Sequence, residues 1–508
     1  MTGRLIIPAS LVLCSLLVFE VSRLETSAAP DIAAYVRANQ HAIVSELTAF
    51  LSIPNVSSDL PNVQKNARHL RRLMERRGIQ TQILEEGTAP LIYGELTAPG
   101  ASQTLLFYCH YDGEPVEPAQ WVGHEPFEPV LRDGPLSRGG AIIPFPNEET
   151  PYDDDWRIYA RSASDDKAPI IALLAALDAM QESGISPDYH LKFLFEGEEE
   201  AGSPHLAEFL GKYRDLLGAD LVIFADGPVY QTGDPTLYFG VRGIAKLEVT
   251  VYGPVRHLHS GHYGNWAPNP AMQLSQLLAS MKDRDGRVLI EGFYEDVRPL
   301  TEEERKALEG APAIEASLKQ DLALGWTEGN NRGLPELLTL PSLNVHGMES
   351  AWVGDQSRTI VPAEATASID LRLVPEIDPV RQQERVVAHI RRQGFHVVAE
   401  VPSLELRRRH EKVARVVRHY GYPALRTPME LPLARRLAGA VERAGSRVVK
   451  LPTMGGSVPL YVFNDQLGVP VIGLPTVNPD NNQHSPNENI RLGHFFRAIE
   501  IFAEVFRM

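Results

Sequence analysis

From residue 31 apolar positions recur at helical spacing through residue 51, and again over 63–77, where the pattern stops before Gly78. Short apolar runs follow: LLFYC (105–109), LKFLF (191–195) and LVIFA (221–225). Helical stretches lie between the later runs, around 169–181 and 204–213. Short apolar strands alternating with helices predict an α/β fold, a mostly parallel sheet with helices on both faces. After Gly243 the period changes to two. In AKLEVTVYG, Leu247, Val249 and Val251 oppose Lys246, Glu248 and Thr250; in ATASIDLRLV, Ile369, Leu371 and Leu373 oppose Ser368, Asp370 and Arg372. Such alternation buries one face and wets the other, as in an antiparallel sheet. Asp378, Pro379 and Gly394 punctuate a helix, and HVVAEV reads as a further strand. Residues 243–424 are therefore expected to form an inserted α+β domain. It divides a first domain into 29–242 and 425–508, the second part carrying VPVIGLP and a final helix over 493–506. A length of 508 residues also suits two domains.

A net charge of −16 argues against nucleic acid or an anionic membrane surface as partner. The chain has no Gly-rich phosphate loop of the Walker or dinucleotide type. Arg4 precedes the apolar run LIIPASLVLCSLLVF, and small residues stand near Ala28. That order predicts a signal peptide over 1–28, with an uncleaved N-terminal anchor as the alternative. The run is short for a spanning helix. Leu13 precedes Cys14 where lipid attachment would want a small residue; the other cysteine is Cys109, so the processed chain would have no internal disulfide. The expectation is a periplasmic or secreted protein, free of the membrane once the signal is removed.

The run LKFLF ends in FEGEEEAGS, with Glu196, Glu198, Glu199 and Glu200 crowded together. Like charges repel and are costly to bury unpaired, so either the turn is solvated or something strongly positive sits there. LLFYC ends in His110 and Asp112, LVIFA in Asp226, and VPVIGLP leads through a loop to His484. In an open parallel sheet, ligand sites lie outside the carboxyl ends of the strands, so these groups can converge. Asp165, before a helix in ARSASDDKAP, joins them. Two imidazoles and several carboxylates suit zinc. Two metals can share a bridging carboxylate and water, and two cations would supply the positive charge that the acidic turn lacks. The three aspartates at 153–155, in a loop over 144–155, have no flanking histidine or apolar strand and read as solvated.

The segments CHYDGEPVEP, SASDDK, EGEEEAGS, ADGP, HLHSGHYGN, IDLRLVP, GGSVP and NQHSPNE occur in the order of a known family. Together they resemble the M20 metallopeptidases, which include carnosinase-like dipeptidases, glutamate carboxypeptidase and acyl-amino-acid deacylases. The resemblance implies a zinc-exopeptidase-like catalytic domain and a lid and dimerisation domain over 243–424. It implies that His110 and Asp226 hold one zinc, Glu200 and His484 the other, and Asp165 bridges them, with Mn²⁺ or Co²⁺ able to substitute. Asp112 would orient the His110 imidazole and Glu199 would be the general base. His259 would reach into the site of a second copy to stabilise the oxyanion, which requires a homodimer. Arg372 would bind the substrate carboxylate, with Gly456, Ser457, Asn265 and Thr359 as further substrate contacts. No role falls to Glu196 and Glu198, which are expected to be solvated, nor to His257 and His262. A cis peptide is implied between Asp165 and Asp166. Ser162 and Ala168 stand where the family usually has glycine, Thr453 and Met454 where carnosinase-like members carry Arg-Glu, and 135–155 reads as an insertion near the site entrance. The function implied is an exported di-zinc peptidase cutting dipeptides or short peptides beside a free carboxylate. An N-acyl-amino-acid deacylase is the alternative, and a non-catalytic binding protein of the same fold fits the intact ligand set less well.

Overall fold

The computed structural model describes residues 1–3, 32–84, 89–445 and 447–508, so the predicted signal segment beyond residue 3 lies outside the described residues. Eight strands form the main sheet, in the order Gln80–Leu84, Leu91–Leu96, His190–Glu196, Thr104–His110, Leu221–Phe224, Val471–Gly473, Thr236–Tyr238 and Val449–Leu451. The four central strands, from His190–Glu196 to Val471–Gly473, run parallel, and antiparallel pairing is confined to positions flanking them. Alternate residues of Thr104–His110 serve two helical layers. Leu105, Phe107 and Cys109 pack with Ile32–Leu51, Lys167–Glu182 and Leu492–Val505. Leu106 and Tyr108 pack with Leu206–Lys212 and Tyr461–Leu467. Lys167–Glu182 lies against both Ile32–Leu51 and Leu492–Val505, which explains why it is apolar almost all round.

A second sheet has the order Ser342–Glu349, Glu364–Leu373, Gly243–Tyr252, Val413–Arg418 and His396–Val398. Its first four strands are antiparallel; the last pairs parallel. Helices Pro270–Ala279 and Pro379–Arg392 cover the face carrying Leu247, Val249, Ile369 and Leu371. Two chain crossings join this sheet to the main one, and they pair: Gly240 with Arg426, Val241 with Leu425 and Ile244 with Tyr422. They approach closely enough that a Cβ on Gly240 would lie 2.2 Å from the Leu425 carbonyl oxygen. Only glycine fits there.

Two elements differ from the pattern-based reading. The second helix runs Leu60–Glu75 rather than 63–77, because Asp59 caps it, accepting the Asn62 amide, with Pro61 in the first turn. The stretch read as an insertion contributes to a four-stranded antiparallel sheet, Asn489–Arg491, Arg157–Tyr159, Val130–Arg132 and Ile142–Ile143. Residues 144–155 form no strand, as expected, but Asp155 pairs with Arg491. No described helix is long and apolar enough to cross a membrane.

Candidate metal centre

His110 is the last residue of its strand and is fully buried. Its Nε2 lies 2.8 Å from Asp165 Oδ1 and 3.9 Å from Asp226 Oδ2. Its Nδ1 lies 3.3 Å from Asp112 Oδ1. The other oxygen of Asp165, Oδ2, lies 3.1 Å from His484 Nε2, which is 3.5 Å from Glu200 Oε2. The donors thus fall into two groups, His110, Asp165 and Asp226, and Glu114, Glu200 and His484, each with ligand atoms within 4.8 Å of one another. Asp165 stands between them, one oxygen facing each imidazole. Imidazole nitrogen with carboxylate oxygen is a donor set that fits divalent cations such as zinc.

The electrostatics fit as well. Burial pushes Glu199 up to about 8 and Glu200 up to about 9, with the Asp165 charge adding to the latter. Burial, then Asp165, lifts Asp226 to about 7. Asp165 raises His484 to about 9. Burial opposes the charged form of Asp165, yet the hydrogen bonds to His110 and His484 outweigh it and hold that carboxyl below its ordinary range. The cluster retains protons that a cation would displace.

The loop carrying Asp165 is fixed by Glu488, a fully buried carboxylate. Glu488 accepts from the backbone N–H groups of Ser162, Ser164 and Asp165, the Ser164 hydroxyl and the Arg161 guanidinium, at 2.8–2.9 Å. Ser162 sits at φ 60°, where glycine would be relaxed, and its Oγ accepts from Asn55 at 2.9 Å. The Asp165–Asp166 peptide is cis. Asp112 accepts the backbone N–H groups of Glu199 and Glu200 at 3.1 and 3.0 Å, tying the acidic turn to the strand of His110.

On the second sheet, Arg372 donates through Nη1 to Ser457 Oγ at 2.7 Å and through Nε to Asp370 at 3.3 Å. Ser457 donates to the Gly243 carbonyl, and the Gly456 carbonyl accepts the Arg242 N–H. His259 is exposed, its short strand paired with Ile360–Val361 beside Thr359, whose carbonyl accepts the Ser260 N–H. Asn265 follows, exposed, at φ 61°. Among the described residues none of these three bonds to the ligand cluster, and His257 and His262 contact Ala363 and the His259 ring instead.

The model of peptidase family M20/M25/M40 matches residues 106–508. The chain belongs to this family. A Cys-Gly metallodipeptidase, dug1, from Schizosaccharomyces pombe is 27% identical over 477 residues, covering 90% of this chain and 94% of that protein. A Beta-Ala-His dipeptidase from Rattus norvegicus is 27% identical, covering 82% of this chain and 80% of its own. Among solved structures, the M20 metallo-carboxypeptidase Sso-CP2 from Sulfolobus solfataricus superposes with a TM-score of 0.73 at 30% identity, covering 91% of this chain and 98% of that one. The protein is accordingly an M20 metallopeptidase whose catalytic and dimerisation-domain architecture is that of its structural neighbours.

Two residues at this M20 site escaped the sequence reading, Glu114 and Glu488, as did the buried Arg242 at the crossing between the two larger sheets. Glu114 follows His110 by four residues in CHYDGE, and Glu488 ends the quoted NQHSPNE, so proximity to a ligand was the available signal. Arg242 is buried and donates to the Leu340 carbonyl at 2.8 Å and to Ser342 Oγ at 3.0 Å. Glu196 and Glu198 correct an expectation, for both are buried rather than solvated. Glu196 closes a buried strand and accepts the Tyr108 hydroxyl; burial pushes it up to about 8. Glu198 accepts the backbone N–H of His205 at 3.1 Å and its Nδ1 at 2.9 Å.

Proposed function

We propose that this M20 peptidase is an exported di-zinc dipeptidase that hydrolyses dipeptides or short peptides beside a free C-terminal carboxylate. The observation that carries this reading is Asp165, whose two oxygens face two different imidazoles, 2.8 Å from His110 and 3.1 Å from His484. His110 and Asp226 would hold one cation, Glu200 and His484 the other, with Asp165 shared and Glu114 beside His484; Mn²⁺ or Co²⁺ could replace zinc. A bound cation pair supplies Lewis acidity and lowers the pKa of an attacking water. Glu199 takes the proton of that water and delivers it to the leaving nitrogen. Arg372, held by Ser457, binds the substrate carboxylate through charge-assisted hydrogen bonds, with Gly456, Asn265 and Thr359 as further contacts. His259, contributed by a second copy of the chain, stabilises the oxyanion.

The relatives named as Cys-Gly and Beta-Ala-His dipeptidases support small peptides as the substrate class. Residues 243–424 act as the lid and dimerisation domain. Exposed Trp266, Met272, Val345 and Met348 on that domain, and the edge of Ser342–Glu349 that no strand pairs among the described residues, support a homodimer. Export rests on the positive start and apolar run of residues 1–28.

The test is hydrolysis of dipeptides against N-acetyl and N-succinyl amino acids, with and without chelator. Activity on dipeptides should vanish in chelator and return with Zn²⁺. Glu199→Gln should lower kcat by about 10²–10⁴-fold, the range of general acid–base assistance. Faster turnover of N-acyl amino acids would replace the dipeptidase reading with a deacylase, and undiminished hydrolysis by Glu199→Gln would remove the assigned base.

A further inference from the structure

Resting on the peptidase reading above, we propose that Tyr422, with Ile244 and Tyr461, forms the pocket for the side chain of the carboxyl-terminal residue, and that this pocket selects apolar and aromatic side chains. The placement follows from strand register. Ser342 pairs with Arg372, Arg372 with Ile244, and Ile244 with Tyr422. The last pair exchanges both backbone hydrogen bonds, Ile244 N–H to the Tyr422 carbonyl at 3.0 Å and Tyr422 N–H to the Ile244 carbonyl at 2.9 Å. Directly opposed residues of neighbouring strands project to the same face. Tyr422 and Ile244 therefore continue, on one face, the row that begins with the carboxylate-binding Arg372.

The position is rigid. A Cβ on Gly243 would lie 2.5 Å from the Tyr422 carbonyl oxygen, and one on Gly421 would lie 2.6 Å from the Ile244 carbonyl oxygen. The Tyr422 ring stacks on Tyr461, with centroids 5.9 Å apart and planes at 16°, and Tyr461 is steadied by a 3.0 Å hydrogen bond between its hydroxyl and that of Tyr420. Ile244, Tyr422 and Tyr461 are each half-buried, so they keep apolar surface open. Further along the same face of that strand stand Lys246, Glu248 and Thr250, so the apolar residue occupies the end beside Arg372.

The Tyr422 hydroxyl makes no hydrogen bond among the described residues, and it feels both ends of the site. Burial and then the Glu199 charge push it up to about 12, while Arg372 pulls it down. A substrate whose carboxylate is on Arg372 and whose scissile amide is near Glu199 must send its terminal side chain out between those two groups. Tyr422 stands in the cross-strand row of Arg372 and Ile244, on the face that such a side chain would meet. Met454, whose Cε lies near Gly456, brings no charge to the neighbourhood.

The experiment compares kcat/KM of the zinc-loaded, full-length enzyme on Ala-Gly, Ala-Leu, Ala-Phe, Ala-Asp and Ala-Lys. Ala-Leu and Ala-Phe should exceed Ala-Gly by about tenfold or more, the discrimination an apolar pocket supplies, and Ala-Asp and Ala-Lys should fall below them. Tyr422→Ala should compress the Ala-Phe to Ala-Gly ratio to about twofold, chiefly through KM, whereas Tyr422→Phe should keep it. Should Tyr422→Ala not fold, Tyr461→Ala on the same wall should compress the ratio instead. A wild-type enzyme favouring Ala-Gly, Ala-Asp or Ala-Lys would overturn the proposal, as would an unchanged ratio in the alanine variants. Failure to hydrolyse every one of these peptides would instead overturn the dipeptidase reading on which it rests.

Discussion

Glu488 shows how one buried carboxylate can organise a site it does not enter. Its five hydrogen bonds go to the loop that presents Asp165. In Glu488→Gln one acceptor oxygen becomes an NH₂ facing donors, and Arg161 loses its charge partner. Breaking such a buried pair costs about 3 kcal/mol or more, and support of a ligand is worth about 10–100-fold in metal affinity. Glu488→Gln should therefore melt several degrees lower and bind Zn²⁺ at least tenfold more weakly in chelator competition; unchanged affinity would contradict this. Glu196→Gln should behave oppositely. Burial already keeps Glu196 protonated at neutral pH, so an amide preserves its shape and its acceptor for the Tyr108 hydroxyl. Its kcat/KM at pH 7 should stay within about threefold of wild type, since neither charge nor volume changes there. That His110, Glu200 and Asp226 come together with Asp165 was legible because the first three follow strand ends and Asp165 precedes a helix, where topology makes residues converge. His484, in a loop well after its strand, was placed with them chiefly by the family resemblance. Glu196 and Glu198 were misread because their partners, Tyr108 and His205, leave no trace in a local charge count.

At the scale of elements, long periodic segments were readable and short ones were not. The alternation of Gly243–Tyr252 and Glu364–Leu373 marked both as strands of an antiparallel sheet, and the structure pairs the two with each other over their whole length. The sheet built from Val130–Arg132 and Ile142–Ile143 escaped because strands of two or three residues are too short to show a period. The strand ends also set the pH response of the metal-free protein. Glu199, Glu200 and Asp226 stand above the usual carboxylate range, and His484 stands at about 9. Groups whose folded value is raised contribute stability at low pH that is lost as pH rises toward those values, here 7 to 9. Asp165, shifted the other way, matters only on the acid side of the ordinary carboxylate range. Metal-free protein should therefore melt lower at pH 9 than at pH 6, and Zn²⁺ should stabilise it more at pH 9, because ligands bind metal deprotonated. Calorimetry in the presence and absence of chelator checks this; a metal-free melting temperature that rises with pH would contradict it.

The two largest sheets are joined by paired crossings; the candidate cation ligands gather at the strand ends and loops of the first, Arg372 lies on the second, and His259 lies on the separate strand pair Leu258–His259 with Ile360–Val361. Arg372 reaches Ser457 of the main domain within one chain, whereas among the described residues the hydrogen bonds and ring contact of His259 stay within its own domain. That contrast suits a role for His259 across a dimer. Mixing His259→Ala with Glu199→Gln, each inactive alone, should restore about a quarter of wild-type activity, because half the dimers are mixed and each has one complete site. No recovery after subunit exchange would place His259 outside the partner's site. The central claim is that Asp165 is shared by two cations. Anomalous diffraction at the zinc edge, from crystals of zinc-loaded protein, tests it most directly. The predicted result is two peaks flanking Asp165, one beside His110 and Asp226 and one beside Glu200 and His484; a single peak, or none adjoining Asp165, would contradict it.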